Sequence, residues 1–281
     1  MELKIITADQ RLSVPRGVKA LIVGPAGVGK TSLLRTIEPS TTLFIDLEAG
    51  DLSVQDVRVD TLRPKAWTQC RDLAAFLGGP NTALSAASAY SEAHYDRVCA
   101  KLGDAKTLDR YASFFVDSIT VAGRLCFGWA SQQSEAFSDK TGKPDLRGAY
   151  GLHAREMLAW LTQLQQARTK NVIFVGILEY VADEFNRGTW QPQIEGSKTS
   201  RELPGIIDQV ITMQFVSFDE TDPIRCFICQ QPNPFSYPAK DRSGRLDLYE
   251  KPNLGELIAK IAAPAPTRLA RLNAHAEPGK D

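Results

Sequence analysis

Residues 20–31 read Ala-Leu-Ile-Val-Gly-Pro-Ala-Gly-Val-Gly-Lys-Thr, and nothing else in the chain restricts its fold as tightly. Ala20–Val23 is a short apolar run bounded by Gly24, the pattern of a strand buried on both faces of a parallel sheet. Gly24, Pro25, Ala26, Gly27, Val28, Gly29, Lys30 and Thr31 then fit G-x-x-x-x-G-K-[ST]. Glycines let successive backbone N–H groups turn inward as an anion nest. A helix expected from Lys30 to about Ile37, with Ser32 in its first turn, adds the positive end of its dipole. Lys30 is placed to reach the β- and γ-phosphates of a nucleotide, and the Thr31 hydroxyl to ligate Mg²⁺. The bland alternative is a chance glycine-rich turn, but the required strand before and helix after are both readable.

The rest of the chain alternates strand and helix patterns. Strands are expected at Leu3–Ile6, Thr42–Ile45, Ala112–Val116, Asn171–Leu178, Val210–Phe215 and Arg225–Gln230. Helices are expected at Trp67–Leu77, Ser91–Leu102, Ile119–Phe137, Tyr150–Thr169 and Leu254–Ile261. In the fourth of these, Met157, Leu158, Leu161 and Leu164 form one apolar stripe. Ser138–Arg147 and residues 183–204 read as polar loops, the second long enough to suggest a functional segment. Residues 1–17 form a lead-in, and 263–281, with Pro264, Pro266 and Pro278, an expected disordered tail. Alternation of this kind implies an α/β fold with a mainly parallel sheet.

Composition narrows the class. Lys plus Arg and Asp plus Glu are 33 each among 281 residues, so the formal net charge is zero. That excludes a bulk-basic nucleic-acid coat protein but leaves room for a local basic groove. Apolar residues make up 43%, enough for a large core. Five scattered cysteines, an odd number, and an N-terminus without an apolar h-region point to a reduced cytoplasmic protein. No apolar run approaches a membrane span, so no membrane partner is expected. Cys226-x-x-Cys229 has half the spacing of a zinc site, but strand alternation would send the two thiols to opposite faces. His94, His153 and His275 form no ligand pattern. Thr169-Lys170-Asn171-Val172 begins like a guanine motif but lacks the Asp that reads the base.

A Mg–nucleotide site needs a carboxylate at a strand end near the loop. Phe114-Phe115-Val116-Asp117 supplies Asp117, whose bland alternative is a helix cap. Hydrolysis needs a further group to orient or deprotonate water. The position after Asp117 is Ser118, so this group lies elsewhere. Glu48, just past Ile45-Asp46-Leu47, is the candidate, against the alternative of a surface loop Glu.

The phosphate loop, Asp-Leu-Glu after the next strand and Val-Asp-Ser at a later one together resemble the RecA-type ATPase core. The resemblance implies that Glu48 is the catalytic base and Asp117-Ser118 the end of the Walker B strand. Lys240-Asp241-Arg242-Ser243-Gly244 resembles the Lys-x-Arg-x-Gly element of the RadA and DnaB branches. There the pair reaches the γ-phosphate of a neighbouring subunit; alone, the same residues read as a solvated turn. The overall pattern, over roughly residues 17–262, is similar to short phage-encoded RecA-like proteins of recombination and single-strand annealing. It includes Tyr150-Gly151, Glu202-Leu203-Pro204-Gly205 and Asp208.

The resemblance implies a RecA-like P-loop NTPase core with a central sheet flanked by helices, one ATPase domain over 1–262. It implies ATP and Mg²⁺ as ligands, single-stranded DNA as partner, a homo-oligomeric ring or filament, a possible single-strand binding protein, and a host-cytoplasm location. DNA would pass two loops, about 131–147 and 182–204. Phe137, Lys140, Lys143 and Arg147 are the candidates in the first, and Phe185, Arg187, Trp190, Lys198 and Arg201 in the second. The chain departs from RecA in having no Gln after Val175-Gly176-Ile177-Leu178-Glu179 and no room for large accessory domains. Strand exchange therefore does not follow. A small-molecule phosphotransferase and a non-enzymatic, nucleotide-gated assembly protein are the alternatives.

Overall fold

The structure, a computed structural model, describes residues 5–182, 185–218 and 222–263, the side chains of 197 and 198 excepted. Its centre is a ten-stranded sheet. The parallel strands are β1 (Lys19–Gly24), β2 (Thr42–Asp46), β3 (Asp60–Leu62), β4 (Ser113–Asp117), β5 (Asn171–Ala182) and β7 (Gln209–Val216). β6 (Gly188–Pro192) adds antiparallel to β5, and β8 (Ile224–Ile228) to β7. The two-residue strands β9 (Lys240–Asp241) and β10 (Tyr249–Glu250) pair with β7 and β8. The path runs β10-β8-β7-β1-β5-β4-β2-β3, so β1 lies between β5 and β7, and β5 separates it from β4. The mainly parallel sheet flanked by helices is the architecture expected from the sequence.

Period-two alternation divides the core. Leu21, Val23, Phe114, Val116, Val172 and Phe174 face one layer. It holds α2 (Trp67–Gly78), α4 (Ile119–Ala130) and α5 (Leu146–Gln165). Ala20, Ile22, Phe115, Ile173 and Val175 face the other. There Leu33 and Leu34 meet Leu254, Leu257 and Ile261 of α7 (Leu254–Ala262). Both faces are covered, which is why the strands read as unbroken apolar runs. The short helix α1 (Ala8–Ser13) and the helix α3 (Glu92–Leu102) complete the set with α6 (Ser197–Ile206). Cys226 and Cys229 belong to different apolar clusters, as strand alternation requires. The His94 ring accepts from the Tyr90 N–H at Nδ1 (2.9 Å), so its Nε2 donates to Asp72 (2.9 Å), a structural role.

Several local expectations change. Ile5 and Ile6 are not a strand; Leu3 lies outside the described residues. Instead Thr7 and Gln10 close a reciprocal capping box that starts α1. The helix after the loop is a 3₁₀ segment, Thr31–Thr36. α4 stops at Ala130, before the polar Ser131–Ser134 stretch. α5 starts at Leu146, four residues earlier than Tyr150, because the Asp145 side chain caps it by accepting from the Arg147 N–H (3.0 Å). Residues 183–204 are not one loop. They include β6, which makes a hairpin with the end of β5, and α6, which carries Pro204 within its last turn. The expected tail, from Pro264 onward, lies outside the described residues. Among the described residues no helix is long and apolar enough to cross a membrane.

Candidate functional site

The glycine-rich loop leaves the end of β1 and turns on Gly27 (φ 77°) and Gly29 (φ 94°), left-handed conformations that cost glycine nothing. Gly24 packs so closely on β7 that a Cβ there would sit 2.4 Å from the Met213 carbonyl oxygen. The Lys30 ammonium curls back over the loop and donates to the Gly24 and Pro25 carbonyls, 2.9 Å each. Burial lowers its pKa, opposed by the charges of Asp117 and Glu48. Both carboxylates therefore act on the same ammonium, across two strands.

Asp117 ends β4, 4% exposed, and accepts from the Thr31 hydroxyl at 2.5 Å. Burial pushes its carboxyl up to about 6; the Thr31 hydrogen bond opposes this, and the nearby Glu48 charge adds to it. The peptide bond that follows, Asp117-Ser118, is cis. Ser118 caps α4 and its hydroxyl also donates to Glu48. The backbone joins the same two segments, the Leu47 N–H donating to the Asp117 carbonyl (2.7 Å). Glu48 itself is exposed. Its loop is anchored by buried Asp46, which accepts from Gly50 N–H (3.2 Å) and from Arg63 Nε (3.1 Å); Arg63 also pairs with Asp51. The Thr31 hydroxyl and the Asp117 carboxylate are adjacent hard oxygen donors. Such a pair suits Mg²⁺, which takes its other ligands from phosphate and water. Among the described residues no cluster of three or more His, Cys, Asp or Glu forms a separate metal site.

The structure thus gathers the Gly24–Ser32 segment, Asp117 and Glu48 at the C-terminal ends of β1, β4 and β2. The sequence assigned no role of their own to Ser118 and Asp46, which it showed only as parts of motifs, and did not point to Arg63. Arg225, from β8, also reaches this loop, with Nη1 3.4 Å from the Val28 carbonyl oxygen.

Lys240 and Arg242 lie elsewhere. Lys240 pairs with Val210, which stands level with Leu21 of β1, three residues before Gly24. At about 3.3 Å per residue that is roughly 10 Å back along the strand from the loop. Lys240 donates to the Pro204 (2.7 Å) and Ile207 (2.8 Å) carbonyls at the end of α6. Arg242 pairs with Asp208 (2.5 Å), whose other oxygen holds Arg16 (2.9 Å).

The two candidate nucleic-acid segments follow β4–α4 and β5, and β4 and β5 are neighbours in the sheet. The second segment packs on the helices that flank the first: a Cβ on Gly123 of α4 would meet Ile194, and Gly196 packs on Tyr150 and His153 of α5. Phe137 is 39% exposed, and Lys140, Lys143 and Arg147 are exposed. In the second segment Phe185 is 70% exposed, with the Arg187 guanidinium 5.1 Å from its ring centre. Trp190 is half-buried between Tyr180 (5.0 Å) and Tyr237 (5.2 Å). Arg201 is exposed on α6; the Lys198 side chain lies outside the described residues.

Residues 16–243 match the family described as AAA domain, and the chain belongs to that family. No curated protein matches the sequence. Among solved structures it is similar to a RadB recombinase, at 12% identity and TM-score 0.35, over 76% of this chain and 87% of that one. It is also similar to the flagellar accessory protein FlaH of Methanocaldococcus jannaschii, at 11% identity and TM-score 0.32, over 83% and 87%. A third similar structure is a prototypical ATPase of the type III secretion system of pathogenic bacteria, at 16% identity and TM-score 0.36. There the match covers 71% of this chain and about half, 51%, of the other.

Proposed function

We propose that this chain is a Mg²⁺-dependent, RecA-like ATPase that binds single-stranded DNA, with one ATPase domain over residues 1–262. It works as a homo-oligomer in phage recombination or annealing, in the host cytoplasm. The observation that carries the ATPase reading is the convergence of Lys30, Thr31, Asp117 and Glu48 on one glycine-rich loop. In this reading the loop N–H groups cradle phosphate, and Lys30 exchanges its two carbonyl partners for phosphate oxygens. Thr31 and Asp117 hold Mg²⁺, which supplies Lewis-acid polarisation when bound. Glu48 takes the proton of the attacking water, and Ser118 aims its carboxylate.

Lys240 and Arg242, set back along the sheet from their own loop, serve a neighbour's phosphate. Single-stranded DNA lies along Lys140, Lys143 and Arg147 and along Phe185, Arg187, Trp190, Lys198 and Arg201, with Phe137 as a further stacking platform. ATP hydrolysis with and without single-stranded DNA, for wild type, Lys30→Ala and Glu48→Gln, tests the proposal. Both variants lose at least about a hundredfold in turnover, and only Glu48→Gln keeps ATP affinity. An active Glu48→Gln protein removes the hydrolytic role, and turnover indifferent to DNA removes the DNA role.

A further inference from the structure

The carboxylates of the site approach the loop from one side only. In the sheet, β5, β4 and β2 succeed β1 in one direction, and Asp117 and Glu48 follow β4 and β2. In the other direction lie β7 and then β8, which carries Arg225 opposite Phe215. Arg225 reaches over the end of β7 onto the phosphate loop. A Cβ built on Gly29 would sit 2.3 Å from its Nη1, so the missing side chain at Gly29 is what admits the guanidinium.

The bond that Arg225 makes there is weak. Its Nη1 is 3.4 Å from a neutral carbonyl, Val28, and Arg225 is exposed. It forms no ion pair with a carboxylate among the described residues. Elsewhere Arg35, Arg63, Arg71, Arg110 and Arg242 each have an acid partner. A guanidinium with spare donors, held against a nest of backbone N–H groups, lacks only an anion. Its planar fork matches phosphate oxygens, and charge-assisted bonds of that kind are about twice as strong as neutral ones.

We propose that Arg225 binds the nucleotide's phosphate chain in cis, at the end nearer the nucleoside. The assignment rests on the reading of Gly24–Thr31 as a phosphate cradle. The metal and base carboxylates define the side where the γ-phosphate reacts, and Arg225 stands across β1 from them. Its contact is therefore with the phosphates that ATP and ADP share.

Calorimetric titration of ATP and of ADP into wild type, Arg225→Ala, Arg225→Lys and Lys30→Ala tests this. Arg225→Ala weakens ATP and ADP to the same extent, about 10- to 100-fold, and Arg225→Lys recovers part of the loss. Because Arg225 is exposed, thermal unfolding of the nucleotide-free variants stays near wild type, which separates lost contact from lost fold. Wild-type ADP affinity in Arg225→Ala, with Lys30→Ala impaired, overturns the proposal and leaves the cradle standing. A loss confined to ATP overturns the nucleoside-proximal assignment. Undiminished binding in Lys30→Ala overturns the cradle reading and this assignment with it.

Discussion

Single residues at this site are governed by desolvation more than by distance, and Lys19 shows the same physics at the other end of β1. Its ammonium is buried, donating to the Ala167 (3.0 Å) and Lys170 (2.5 Å) carbonyls. Burial lowers its pKa to about 8; Arg16 and Arg168 lower it further, and Asp208 opposes. An unfolded lysine keeps its proton to about 10.5, so between these values the unfolded state binds more protons. Stability attributable to Lys19 is therefore lowest below pH 8 and rises with pH from 8 to 10.5. The total is on the order of 3 kcal/mol. Denaturant titrations of wild type and Lys19→Met across that range check it: the wild-type curve gains on the variant as pH rises, and parallel curves refute it. None of this is visible in the sequence, where Lys19 stands as one charge beside an apolar strand. Lys30 and Thr31 were legible because their neighbours carry a fixed spacing. Arg225 was not, since its partner Val28 lies 197 residues away in the chain and only the antiparallel register of β8 brings it back.

At the scale of elements, the parallel strands were readable because two-sided burial leaves an uninterrupted apolar run. β6 and α6 were not. β6 holds only five residues of mixed polarity, and what fixes it is the Tyr180–Trp190 pair across the hairpin. α6 contains Gly205 and Pro204, poor helix formers, and is held by the buried Leu203 and by Lys240 on its last carbonyls. Tertiary contact overrode local preference there. The segment from the end of α4 into the first turn of α5 behaves differently: its cations Lys140, Lys143 and Arg147 are exposed and form no ion pair among the described residues. If they bind phosphates, the triple Lys140→Ala, Lys143→Ala, Arg147→Ala variant lowers the slope of log affinity against log salt by about 2 for single-stranded DNA, at about 0.7 per phosphate. An unchanged slope places the nucleic acid elsewhere.

For the whole molecule, a neutral chain with its phosphate loop at one end of the sheet and Arg242 toward the other is suited to head-to-tail assembly, in which each protomer completes its neighbour. Lys30→Ala and Arg242→Ala proteins, each at least about a hundredfold slow, regain turnover when mixed, because roughly a quarter of random interfaces pair an intact loop with an intact arginine. Mixtures as slow as their components exclude a shared site. Asp208, gripped by Arg16 on one oxygen and Arg242 on the other, bears on how such an interface forms. Its side chain is only 11% exposed, so stripping it of every partner would strand a desolvated charge. If Arg242 serves a neighbour's phosphate as proposed, Arg16 staying behind keeps the Asp208 carboxylate paired while Arg242 swings out. In that reading Asp208 would act as a holster: it aligns the arginine at rest and stays paired through Arg16 when the arginine leaves.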